Sequence, residues 1–66
     1  MDILETIASN IKKYRKEKGI SQESLANMAS IDRTYMTDIE NAKRNLSIKV
    51  LERIANALEV DIKHLL

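Results

Sequence analysis

Residues 31–45 read IDRTYMTDIENAKRN, and most of their side chains make directional polar contacts. Arg33 offers a rigid fork of N–H donors, while Thr34, Thr37, Asp38 and Asn41 offer short hydroxyl, carboxylate and amide groups. Lys43 and Arg44 follow with two cations, and Asn45 with another amide. Ile31, Met36 and Ile39 supply only a narrow apolar stripe. No nucleophile stands beside a base in this stretch. Its residue types suit recognition by hydrogen bonding and charge, not turnover.

Composition narrows the chemistry further. There is no cysteine, so a disulfide framework is excluded, and one histidine falls short of the Cys and His ligands that a structural zinc site takes. That histidine, His64, stands two residues from the end, far from any candidate partner. A single glycine, Gly19, excludes a glycine-rich phosphate loop. Acidic residues are scattered at helix-surface spacing, and no catalytic pair stands out. No enzyme, cofactor or metal is expected. No apolar run is long enough for a membrane span and no leader pattern is present, so a soluble protein without membrane contact is expected, in the bacterial cytoplasm and associated with the nucleoid. The formal net charge of +1 decides nothing about nucleic acid, because the distribution of charge matters more than its sum.

These residues need a scaffold, and the apolar spacing is helical throughout. Asp2, with Glu5 three residues later, caps a first helix reaching about Lys18, with Ile3, Leu4, Ile7, Ile11 and Tyr14 on its inner face. Gly19 ends it in a left-handed conformation. Ser21 caps a second helix over 22–29, with Leu25, Ala26 and Ala29 inward. After the short turn SID, Asp32 caps a third helix ending near Asn41. AKRNL is a loop. Ser47 caps a fourth helix over 48–58, with Leu51, Ile54, Ala55 and Leu58 as its stripe. Asp61 caps a last helical segment, IKHLL. The reading is one all-α domain of five helices over residues 1–66.

On a wheel at about 100° per residue, Met36, Ile39 and Glu40 share one side of the third helix. Thr34, Thr37, Asp38 and Asn41 share the other. Two short helices, tightly joined, with the second presenting short polar groups and an arginine, describe a helix-turn-helix. In that motif the second helix enters the DNA major groove, and its first residues touch base edges. Short side chains let it sit close, and an arginine can pair with guanine through two hydrogen bonds. An ordinary solvated face would favour Glu, Lys and Gln, which are better helix formers than Thr and Asn. Glu40 lies on the buried side and needs a partner. Arg15, at the edge of the first helix's apolar face, is the expected one. The run KKYRKEK, Lys12 to Lys18, is expected to be mainly a solvated face.

With Arg15, Ser21-Gln22, Leu25-Ala26, Ile39-Glu40 and Ala57-Leu58 at their spacing, the chain resembles the Cro and phage-repressor helix-turn-helix proteins, the XRE family. The match runs from about Ile7 to Leu66. Within that family, Arg33-Thr34-Tyr35 followed by Arg44-Asn45 is most similar to controller proteins of restriction–modification systems. The resemblance implies a lambda-repressor-like fold and a homodimer on a palindromic operator in double-stranded DNA, regulating an endonuclease gene and its own gene. It also implies contact with RNA polymerase where such proteins activate. By the same resemblance, Arg33 reads guanine, and Thr34 and Thr37 contact bases or phosphates. Tyr35 lies along the backbone or near the dyad. Gln22 bonds a phosphate, and Lys43, Arg44 and Asn45 grip the backbone beside Asn41. The family usually has glycine where Ala42 stands, and alanine disfavours a left-handed cap. A differently shaped helix end is therefore expected. Asp38 would repel phosphate, so it either accepts from a cytosine amino group or points away.

Ile48 and the segment 60–66, through Val60, Ile62, Leu65 and Leu66, are expected to form the dimer interface, because so small a domain has little core to cover them; capping of the monomer core is the alternative, above all for Val60 and Leu65. A phage-type repressor or an antitoxin of the same fold, or a helix-turn-helix used for protein contact alone, are the alternatives. The last predicts that Arg33→Ala leaves binding intact.

Overall fold

The computed structural model describes residues 2–66; Met1, within the expected domain, lies outside the described residues. Four α-helices and one 3-10 turn follow in order: α1 (Ile3–Glu17), α2 (Gln22–Met28), α3 (Arg33–Glu40), α4 (Ile48–Leu58) and the turn η1 (Ile62–Leu65). The expected fifth helix is thus a single tight turn. Its bonds run from His64 N–H to the Asp61 carbonyl and from Leu66 N–H to the Lys63 carbonyl, three residues back. Among the described residues no strand is present, and no helix is long and apolar enough to cross a membrane.

Each element begins on a side-chain cap. Asp2, Ser21, Asp32, Ser47 and Asp61 accept from backbone N–H groups two or three residues ahead. Each thereby satisfies donors that a helix start leaves open. Asp2 does so at Leu4 N–H, at 2.9 Å.

The helix ends also share one solution. At each, the N–H of a left-handed residue and of its successor turn back onto carbonyls of the last turn, which is the Schellman arrangement. Gly19 holds the left-handed position after α1 with φ 66°. Ser30, Ala42 and Glu59 hold it after α2, α3 and α4, with φ of 58°, 56° and 58°. Ala42 therefore takes the conformation that its side chain was expected to prevent. Its N–H reaches the Ile39 carbonyl at 3.1 Å, and Lys43 N–H reaches the Asp38 carbonyl at 2.9 Å. A left-handed non-glycine residue costs about 1–2 kcal/mol. Ala42→Gly removes that strain and loosens the unfolded chain by about 0.5–1 kcal/mol. We expect a net gain of up to about 1 kcal/mol, seen as a thermal midpoint several degrees higher by circular dichroism. An unchanged or lower midpoint means that the alanine methyl group stabilises this corner by packing.

Ile11, Leu25, Met36, Ile39, Leu51, Ile54, Leu58 and Leu65 are fully buried and meet at the centre. α3 packs on α1 and α2, α4 on α2 and η1, and η1 closes against α1. Ile3, expected on the inner face, is instead 55% exposed at the start of α1. Leu65, expected at the dimer surface, is fully buried. The Asn10 amide donates to its carbonyl at 3.0 Å and ties the turn to α1. In this fold Leu65 belongs to the monomer core and is not available to a partner.

Candidate nucleic-acid interface

The turn between α2 and α3 decides how α3 is presented. Ile31 N–H closes on the Ala26 carbonyl at 2.8 Å, and Ile31 is buried. Asp32 then starts α3 by accepting from Thr34 N–H at 2.9 Å and Tyr35 N–H at 3.4 Å. Arg53 on α4 donates to the Ser30 carbonyl at 3.1 Å, a tie from outside the motif that nothing in the local sequence signalled.

The inner side of α3 buries Met36, Ile39 and Glu40. Glu40 is only 2% exposed and sits in a charged network. Arg15 donates from Nε to Oε2 at 2.8 Å and from Nη2 to Oε1 at 3.1 Å, a forked pair. Its Nη1 donates to the Ile20 carbonyl at 3.0 Å. Gln22 Nε2 adds a donor to Glu40 Oε1 at 3.3 Å. Among the described residues, no buried side-chain nitrogen or oxygen lacks a partner. A buried carboxylate needs this degree of satisfaction to be tolerated.

Gln22 is therefore not a free arm at the start of α2. Its Oε1 accepts from the Thr37 hydroxyl at 2.7 Å, and its amide nitrogen is held by Glu40. The side chain reaches back to α3, which its place at a helix start did not reveal.

The outer side of α3 exposes Arg33 and Thr34, with Asn41 exposed at its C-cap and Thr37 half-buried. Lys43, Arg44 and Asn45 are exposed on the loop that follows. Tyr35 and Asp38 join this loop to the helix. The Arg44 guanidinium lies 4.8 Å from the centre of the Tyr35 ring, and its Nη1 is 3.7 Å from Asp38 Oδ2. The Tyr35 hydroxyl donates to the Asn45 carbonyl at 3.4 Å. Asp38 thus has a cation of its own chain beside it, which offsets the repulsion it would exert on a phosphate. Of the lysines in 12–18, Lys13, Lys16 and Lys18 are exposed, and Lys18 reaches Glu59 at 3.5 Å. Arg15 alone in that run turns inward to an acidic partner on α3.

The result is a rigidly seated helix carrying an arginine and short polar groups outward, with cations beyond its C-terminal end. Such a face can follow a phosphate backbone while reading base edges. Among the described residues, no cluster of His, Cys, Asp or Glu is placed to hold a metal ion.

A helix-turn-helix family model matches residues 11–65, and the chain belongs to that family, in its XRE branch. The control protein C.MunI of a Mycoplasma species is 45% identical over 65 residues, covering 97% of this chain and 88% of the relative. The restriction–modification controller protein C.AhdI of Aeromonas hydrophila has the same fold, with a TM-score of 0.92 and 32% identity over 96% of each chain. C.Esp1396I, solved bound to a 25 base pair operator site, gives a TM-score of 0.86 at 48% identity, covering 92% of this chain and 80% of that one.

Proposed function

We propose that this protein is a sequence-specific DNA-binding regulator of the restriction–modification controller kind, binding a palindromic operator as a homodimer. The observation that carries the reading is the outer face of α3, with exposed Arg33 and Thr34 at its N-terminal end. Support comes from the 48% identity to a controller solved on its operator. In this reading α3 lies in the major groove, Arg33 pairs with a guanine, and Thr34 touches a neighbouring base edge. Lys43, Arg44, Asn45 and Asn41 set register on the backbone, with Tyr35 supporting Arg44. Regulation of its own gene and an endonuclease gene, and contact with RNA polymerase, belong to the same reading.

Selection from a random duplex library, with bound stoichiometry read by native mass spectrometry, tests it. The expected result is a palindrome holding two protein copies, with half-sites roughly 34–36 Å apart. Absence of any selected motif at low salt, where phosphate attraction is strongest, would sink the reading.

The dimer face in this proposal centres on Ile48 and Leu66, which are 72% and 54% exposed. Val60 and Ile62 are half-buried against the core and offer it less surface. An Ile48→Asp, Leu66→Asp double variant should keep its helix content yet sediment as a monomer and lose tight operator binding. A variant that remains dimeric places the joint elsewhere. Leu65→Asp should unfold the chain instead, because that side chain is core.

A further inference from the structure

The bonds around Glu40 fix more than the seat of α3. A carboxylate flanked by the Arg15 guanidinium has only lone pairs to offer, so the Gln22 group facing it must be the amide N–H₂. The Gln22 carbonyl oxygen then faces Thr37. A carbonyl only accepts, so the hydrogen between them must come from the Thr37 hydroxyl, at 2.7 Å. The second neighbour of that hydroxyl is the Arg33 carbonyl at 3.0 Å, again an acceptor. A hydroxyl has one hydrogen and two acceptor lone pairs. With acceptors on both sides, the hydrogen is held inside the protein, and toward any further partner the Thr37 hydroxyl can only accept.

Thr37 lies one turn beyond Arg33 and Thr34 on the same face. We propose that the Glu40–Gln22–Thr37 chain presets Thr37 as a hydrogen-bond acceptor toward the groove, so that its ligand is a base amino group. This rests on the DNA-reading function proposed above. In the major groove, amino donors are adenine N6 and cytosine N4, whereas guanine O6 and thymine O4 only accept. Phosphate oxygens also only accept, so Thr37 is a base reader and not a backbone contact. The residue that sets its polarity, Gln22, is a positioning residue on a different helix.

The test uses the full chain and the selected operator, with single functional groups deleted from the DNA. Purine in place of adenine, or 2-pyrimidinone in place of cytosine, removes one amino group. 2-Aminopurine for guanine, or 5-methyl-2-pyrimidinone for thymine, removes one carbonyl. Methylphosphonates neutralise single phosphates. Wild type, Thr37→Val and Thr37→Ser are titrated against each duplex. One amino deletion per half-site should weaken wild type and Thr37→Ser by about three- to tenfold. The same deletion should leave Thr37→Val unchanged, a coupling that a double-mutant cycle isolates. Coupling of Thr37 to a carbonyl or a phosphate overturns the proposal, as does coupling to no group at all. If wild type selects no duplex, the DNA-reading function itself fails, which is a different result from a selected operator indifferent to Thr37.

Discussion

Arg15→Ala is expected to lower the unfolding free energy by about 3–5 kcal/mol, the range for leaving one member of a buried ion pair behind. Glu40 is 2% exposed, so water cannot replace the missing guanidinium without opening the contact between α1 and α3. The Ile20 carbonyl, in the turn between α1 and α2, loses its side-chain donor in the same step. A domain of this length has roughly 3–10 kcal/mol of stability in total. The variant should therefore be partly or wholly unfolded at room temperature, as read from urea unfolding followed by circular dichroism. Pairing it with Glu40→Leu should recover most of the loss, because both charges then leave together. A cost of Arg15→Ala under about 1 kcal/mol would place the pair with exposed salt bridges and contradict the burial of Glu40.

Arg33→Ala should weaken the selected operator by about 1–3 kcal/mol per half-site, roughly 5- to 150-fold, with preference lost at one base pair. In the proposed dimer both contacts are lost at once. The side chain is exposed, so the unfolding free energy should stay within about 0.5 kcal/mol of wild type. Arg33→Lys should not restore the preference, because an ammonium is a point charge without the planar fork. Fluorescence anisotropy on matched and single-substitution duplexes checks this. An equal loss on every duplex, with a shallower salt dependence, would make Arg33 a phosphate contact instead.

Helix starts were legible because they are local. Ser21, Asp32 and Ser47 stand directly before apolar periods, and their oxygens need only the next two or three N–H groups. Glu40 was legible as a group in need of a cation, since a wheel puts it among Met36 and Ile39. Helix ends were less so. Ala42 adopts φ 56° because the carbonyls of Asp38 and Ile39 need donors and the chain must turn toward α4, and these outweigh the preference of one alanine. The C-terminal segment misled for a related reason. Counting apolar residues cannot tell Leu65 from Leu66; the gap between α1 and α4, with Asn10 waiting for a carbonyl, sorts them. Asp38 and Gln22 were opaque because their partners, Arg44 and Thr37, are set by the geometry of a loop and of a helix crossing.

The network at Glu40 also decides what counts as a transferable part. Its members come from α1, α2 and α3, so the outer face of α3 is not self-contained. Grafting residues 33–41 onto a helix-turn-helix scaffold that lacks counterparts of Arg15 and Gln22 would carry the outward-facing side chains but leave Glu40 without its cation, and Thr37 without its neighbour. The smallest unit that can be exchanged intact is the block of three helices. Swaps of the α3 face between relatives should succeed where the recipient already has counterparts of Arg15 and Gln22 or receives them with the helix, and yield poorly folded chimaeras where it has neither.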